Sequence, residues 1–406
     1  MRILLAATAS YVPPRGGATR SNLAWLDRLA RAGHACRVVC GAGAPGAEMP
    51  VHESIAIVAV ADPAQRIQAL RREIAAMRPD WVLVSSEDLG HSLLREAHHS
   101  APGHVVYLAH TPQFFPFGPA SWNPEPRAAE MVAQAAGVVA IGRHMAEYIE
   151  RALGRPAAVI HPPIYGACGA GPLVRDLSGW PASEGVVLMI NPCAVKGISI
   201  FLDVARRMPD VEFGAVPGWG TTSEDLAALR ALPNVTIVPP ARDIEDLLRR
   251  ARILLAPSLW YEGFGLIVME AMLRGVPVVA SDSGGLAEAK RGTGYVIPVR
   301  TIERYEPVFD ELAMPRPVMP ANDAGPWAAA IEELLGDRAA YERESAASRA
   351  AAAAFVAAID GAEMERYLAG LRPAEQAAET PQTAIEALSP EKRALLLERL
   401  RRRAGR

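Results

Sequence analysis

What most constrains the fold of this chain is a rhythm that runs through it twice. Short apolar, β-rich runs at 3–7, 37–40, 55–60, 81–85, 105–108, 138–141 and 157–160 are strand candidates, with amphipathic helical stretches between most of them. Strands this uniformly apolar have to be covered on both faces, and the intervening helices supply the cover, so the pattern predicts a parallel, doubly wound α/β sheet. The rhythm fails over 161–185, where Gly and Pro are frequent and no period persists, and it resumes with strand candidates at 186–190, 211–215, 235–238, 253–256, 278–280 and 295–297. The expected organisation is an N-terminal Rossmann-like domain over 1–170, a linker over 171–185 and a C-terminal Rossmann-like domain over 186–335. Closing helices over 336–372 and a polar linker with a basic tail helix over 373–406 complete it. Two such domains in tandem imply a cleft between them, where sheets of this kind bind ligands.

Composition narrows the classes of function. Half of the 406 residues are hydrophobic and the net charge is only -3, a balance that gives no reason to expect a nucleic-acid partner. No apolar run approaches the roughly 18 residues of a membrane span. The opening MRILLAATAS has an apolar run too short for a signal sequence and leads into a Gly-rich loop and helix, as a first strand does. Four cysteines, Cys36, Cys40, Cys168 and Cys193, show neither CxxC pairs nor zinc spacing, so reduced thiols and a cytoplasmic location are expected.

The stretch WYEGFGLIVMEAMLRGVPVVAS, residues 260–281, holds the densest chemistry. Residues 265–274 read as a buried helix, stopped by Gly275-Val276-Pro277. Glu262 lies on the loop that opens this helix, and Glu270 lies within it. Free amides and the positive end of the helix dipole converge at such a start, which suits a phosphate.

EGFGLIVMEAM resembles the E-x7-E signature of retaining GT-B glycosyltransferases of the family 4 type. VKGISIFLDVARRMPDVEF (195–213), GVPVVASDSGGLAE (275–288) and GGATRSNLAWLDRLARAGHACRVV (16–39) are similar to that family's Lys-Gly helix, its segment after the second glutamate, and its glycine loop. The likeness extends over about residues 1–370. It implies transfer of a sugar from a nucleotide diphosphate sugar to a hydroxyl or amine acceptor, with retention, the domain over 1–170 taking the acceptor and that over 186–335 the donor. It also implies roles for residues. Amides around Phe264, Gly265 and Leu266, on the turn opened by Gly263, receive the donor diphosphate. Glu262 orients the donor sugar and supports its charge, and Glu270 accepts hydrogen bonds from the ribose. Lys196 counters the departing diphosphate, His110 meets the donor sugar, and Gly16 and Gly17 lie against donor or acceptor. Where the family carries an arginine five residues before the lysine, this chain has Asn191, which cannot present a bidentate cation. Arg15, Arg20 and Arg242 are the candidates to replace it. No Asp-x-Asp run closes a strand, so neither a metal nor a cofactor is expected. A noncatalytic sugar-nucleotide sensor or scaffold is the alternative from another class, with Asn191 as its support.

Other features stay open at this level. PQFFPFGP (112–119) is either an acceptor wall or a rigid packed loop, and Trp219 is a stacking candidate for which packing is the plainer expectation. His34 reads as helix punctuation, and His98 and His99 lack metal-ligand partners. The tail LSPEKRALLLERL (388–400) is similar to linkers beside carrier and condensation domains of peptide and polyketide synthases. It reads either as a solvated helical end or as a helix that docks such a synthase or carrier-domain partner through 388–403.

Overall fold

The structure, a computed structural model, describes residues 1–12, 14, 16–43, 54–165, 185–241 and 243–374. The expectations for Arg15, Arg242, Cys168, the linker core and the tail from 375 onward fall outside these residues.

Seven strands form the first sheet: β1 (Arg2–Ser10), β2 (Ala35–Gly41), β3 (Ile55–Ala59), β4 (Trp81–Ser85), β5 (Val105–Ala109), β6 (Gly137–Ala140) and β7 (Ala158–Val159). Their order is β3-β2-β1-β4-β5-β6-β7, all parallel. Six more form the second: β8 (Val186–Ile190), β9 (Phe213–Val216), β10 (Val235–Ile237), β11 (Ala251–Ala256), β12 (Val278–Ser281) and β13 (Val296–Ile297). They run β10-β9-β8-β11-β12-β13, again parallel. The doubly wound architecture read from the sequence is therefore present twice. In each sheet the strand order reverses once, between β1 and β4 and between β8 and β11, and crevices open at the carboxyl ends of those strands.

The central strands are apolar throughout because they are covered on both faces. Every residue of β4, β5 and β6 is buried. One hydrophobic core runs continuously from Leu5 and Leu26 in the first half to Leu254, Phe264 and Met269 in the second, so the two sheets share an interior. The helix Gly325–Gly336 covers the second sheet with Trp327, Ile331 and Leu334, all fully buried. Burial of such side chains contributes about 1.5–3 kcal/mol each.

The closing helices tie the halves together. Arg338–Ala357 packs on the helix Leu266–Leu273, and Ser345 Oγ donates to Gly275 O at 2.6 Å. The next helix, Glu363–Gly370, returns to the first half, where Tyr367 OH meets Val138 O at 3.4 Å. His34 is more than punctuation: its ring bridges the Met1 amino group and Glu365, each at 2.9 Å. Under the helices lies a buried ion pair, Lys290 Nζ to Glu344 Oε1 at 3.0 Å, with Lys290 also donating to Val278 O. Burial pushes the Lys290 ammonium below its ordinary range, against the opposing pull of Glu344.

One element was not foreseen. Residues 305–317 form an antiparallel hairpin, β14 (Tyr305–Phe309) and β15 (Pro315–Pro317), whose first strand has no buried residue.

Candidate active site

A cleft of ≈ 2130 Å³ separates the sheets, and the carboxyl ends of their strands face into it. Gly16 and Gly17 follow β1, Glu87 follows β4 and His110 follows β5; opposite them, Asn191 follows β8, Trp219 follows β9 and Ser258 follows β11. The topology thus brings together residues from six separate segments.

On the second wall, Gly265 has φ +99° and opens the helix Leu266–Leu273 without a side-chain cap, which leaves the first amides pointing out of the helix start. Gly263 is required by proximity: a Cβ there would lie 2.2 Å from the carbonyl oxygen of His110, across the cleft floor. Between these elements Glu262 accepts from Lys196 Nζ at 2.5 Å and from Ser258 Oγ. Lys196 ends a single 3₁₀ turn, Ala194–Lys196, just ahead of the helix Ile198–Arg207. Its ammonium lies 4.6 Å above the Trp260 ring and 6.0 Å from that of Trp219. An ammonium held by two indoles and one carboxylate is attracted on three sides. Glu270 is 1% exposed, and Arg20 Nη2 reaches it from the opposite wall at 2.5 Å.

On the first wall, Gly17 abuts the helix Leu266–Leu273, since a Cβ there would stand 3.0 Å from Leu266 Cδ1. His110 is buried, with Nε2 2.8 Å from Asn22 Oδ1. Asn22 turns its amide nitrogen to Tyr11 OH at 2.8 Å, so its oxygen faces the imidazole and Nε2 is the donor. In neutral His110 this leaves Nδ1 as an acceptor, and it has no hydrogen-bond partner among the described residues. Glu87 was not singled out from the sequence. It is partly buried in the cleft wall, and burial pushes its carboxyl up to about 7.

Burial also pushes His110 down to about 3 and His98 to about 4. Both therefore stay neutral in the folded protein where the unfolded chain begins to take protons, near the ordinary histidine value of about 6.5. Their contribution to stability is complete above that value and is lost as pH falls toward their folded values. The urea midpoint should drop already between about pH 6.5 and 5, ahead of most carboxylate titration, and His98→Leu should flatten that slope. An unchanged midpoint over this window would contradict the assignment of both rings as buried and neutral.

The geometry revises three expectations. Asn191 does lie in the cleft, but as a loop organiser: it holds φ +56°, a conformation Asn tolerates, and its Oδ1 accepts from Gly220 N at 2.9 Å. Trp219 is not packed away, being 47% exposed on the loop Asn191 holds. Of the aromatic run, Phe115 and Phe117 are core residues and only Phe114 lines the cleft. Glu288 went unnoticed, yet both its oxygens accept backbone amides of the facing half, Arg143 N and His144 N at 3.0 Å each, so it caps the helix Arg143–Leu153 across the floor. A lone glutamate at a helix start carries no sequence signal for such a partner. Ser258 could have been found as the polar residue two places beyond the apolar run 253–256.

Comparison with known proteins places these features. Residues 15–165 match the family model described as Glycosyltransferase Family 4, and 185–313 match that described as Glycosyl transferases group 1; together they span more than half of the chain. Among curated proteins, the D-inositol 3-phosphate glycosyltransferase of Mycobacterium sp. (strain KMS) is 32% identical over 190 residues, 44% of this chain and 38% of that protein. The matched part is thus well under half of that relative's length. Among solved structures, sucrose-phosphate synthase from Thermosynechococcus elongatus superposes with TM-score 0.67 at 17% identity, covering 90% of this chain and 98% of that one. Anabaena HepE, solved with UDP and glucose, gives TM-score 0.64 at 17% identity, covering 91% and 98%.

Proposed function

Because the chain belongs to the GT-B glycosyltransferases of family 4, we propose that it moves a sugar from a nucleoside diphosphate sugar to a hydroxyl or amine acceptor, with retention and without a metal ion. The observation that carries this reading is the convergence of Glu262, Lys196, Glu270 and Arg20 on one cleft, from both walls. The diphosphate takes the amides around Phe264, Gly265 and Leu266, and Lys196 turns from Glu262 to the phosphate oxygens. Glu270, released by Arg20, accepts the ribose hydroxyls. Arg20 is then the second cation that Asn191 does not provide, since it already reaches the donor side.

In the chemical step the bond from the anomeric carbon to the diphosphate oxygen breaks, and its electron pair leaves with the phosphate. The acceptor oxygen forms the new bond, and its proton is free to pass to the departing phosphate oxygen. Glu262 faces the positive charge that develops on the sugar, and Lys196 the negative charge on the leaving group. His110 Nδ1 accepts a hydroxyl of the donor sugar. Glu87, a carboxyl in the acceptor wall, favours a neutral or cationic acceptor over a phosphorylated one.

Support for metal independence comes from the cation set itself. Lys196 stands just ahead of a helix start beside Glu262, where an ammonium can balance the charge of a leaving diphosphate. The described cysteines are buried and free, which favours a reducing, cytoplasmic setting. The loss of the usual arginine at Asn191 is the observation that favours a binding-only sensor, and turnover decides between them. UDP, GDP, ADP and dTDP sugars should be screened for a rise in melting temperature, then the best donor for transfer. Transfer should persist in EDTA. Activity abolished by EDTA and restored by Mg²⁺ or Mn²⁺ would refute the metal-free site, and tight donor binding with no turnover for any acceptor would favour the sensor.

A further inference from the structure

Six large hydrophobic residues stay exposed among the described residues, and they lie together. Val308, Phe309, Leu312, Val318 and Met319 sit on or beside the β14–β15 hairpin, and Trp219 stands on the neighbouring loop. The hairpin is fastened to that loop's exit. Glu311, in its turn, accepts from Ser223 N at 2.5 Å and Ser223 Oγ at 2.7 Å, and Arg316 pairs with Glu224 at 3.1 Å. A two-stranded ribbon with no buried strand face is marginal alone, and clustered exposed apolar side chains mark a contact surface.

The inner side of the ribbon belongs to the cleft. Met314 packs against the cluster around Trp260, Tyr305 meets Trp122 edge-on at 5.5 Å, and Leu312 lines the cleft itself. A row of rings continues inward: Trp219 to Trp260 at 5.5 Å, Trp260 to Trp122 at 6.1 Å, Trp122 to Phe114 at 5.3 Å. It passes directly beside the Lys196–Glu262 pair, so an apolar path leads from the hairpin to the reacting position.

We propose that this strip is an acceptor subsite that takes the apolar portion, alkyl or aryl, of an uncharged or cationic amphiphile whose hydroxyl end reaches Glu262. The inference rests on the transferase reading given above. Continuity with the cleft favours a bound small molecule over a remote partner. Charge points the same way: over 303–316 Glu303, Glu306, Asp310 and Glu311 outnumber Arg304 and Arg316, and that excess of carboxylates is repelled by an anionic lipid surface.

The test uses the full chain with two soluble probes, octyl β-D-glucoside below its micelle concentration and methyl β-D-glucoside, titrated calorimetrically with whichever of UDP, GDP, ADP and dTDP binds best. The octyl compound should bind about tenfold or more tightly than the methyl one, and Phe309→Ser with Leu312→Ser should erase that difference while leaving nucleotide affinity unchanged. Unchanged nucleotide affinity shows that the double variant is folded. Equal affinities for the two glucosides, with the nucleotide still bound, would overturn the subsite and leave the transferase reading standing. Failure of all four nucleotides to bind would overturn that reading itself. If the glucosides do not differ but neutral phosphatidylcholine vesicles sediment the protein through these two residues, the strip is a membrane face and the acceptor proposal is wrong.

Discussion

Glu262→Gln should lower kcat by about 10²–10³-fold while shifting donor KM little. The substitution keeps the shape of the side chain and removes only its charge, so the loss reports electrostatics at the anomeric carbon. Both partners of the carboxylate sharpen the expectation. Lys196 and Ser258 hold its oxygen before any substrate arrives, and Ser258 keeps it in place once Lys196 turns to the phosphate, so the charge is preorganised. Glu270→Ala provides the contrast, because its place by the ribose should raise KM and spare kcat. Initial rates over a donor titration separate the two. A Glu262→Gln enzyme within threefold of the parent would leave the proposed mechanism without its central group.

The largest effect on stability is expected far from the cleft. Glu344→Ala should destabilise the fold by about 3–5 kcal/mol, because it strands the ammonium of Lys290, which is wholly buried. Loss of Ser348's acceptor and of the 3.3 Å contact from Gly294 N adds to the cost. Replacing the pair together, Lys290→Met with Glu344→Leu, removes the buried charge as well as its partner and should recover most of the loss. Urea unfolding of the three variants measures this. If the double variant is as unstable as Glu344→Ala, the pair acts by some means other than charge compensation.

Much of the architecture was legible because the strands are buried on both faces and so read as unbroken apolar runs. Leu254 and Leu255 need no partner in sequence to announce a strand. The hairpin shows the opposite case. Pro307, Pro315 and Pro317 interrupt its pattern, and its first strand buries neither face, so neither an alternation nor a continuous run was there to find. Site residues divide in the same way. Gly265 and Glu270 were readable from a local rule, the uncapped helix start. The meetings of Lys196 with Glu262 and of Arg20 with Glu270 join residues 66 and 250 positions apart, which only topology or a family likeness can bring together. Asn191 was judged by the cation it lacks, whereas its backbone angle and its bond to Gly220 explain the residue that is there.

The way the chain passes between its halves sets how the cleft can open. It crosses once between Tyr165 and Gly185, and again where the helix Arg338–Ala357 gives way to Glu363–Gly370. His161, in the first half, contacts Phe355, near the end of the helix Arg338–Ala357 and close to where the chain returns, at 4.8 Å. A seam there leaves rotation about it as the least costly relative motion of the halves. Phe264 stacks on Phe355 at 5.5 Å, so the Gly-Phe-Gly turn sits almost on that axis. A small angle of swing therefore leaves that turn nearly still and carries the parts of the cleft farther from it through longer arcs.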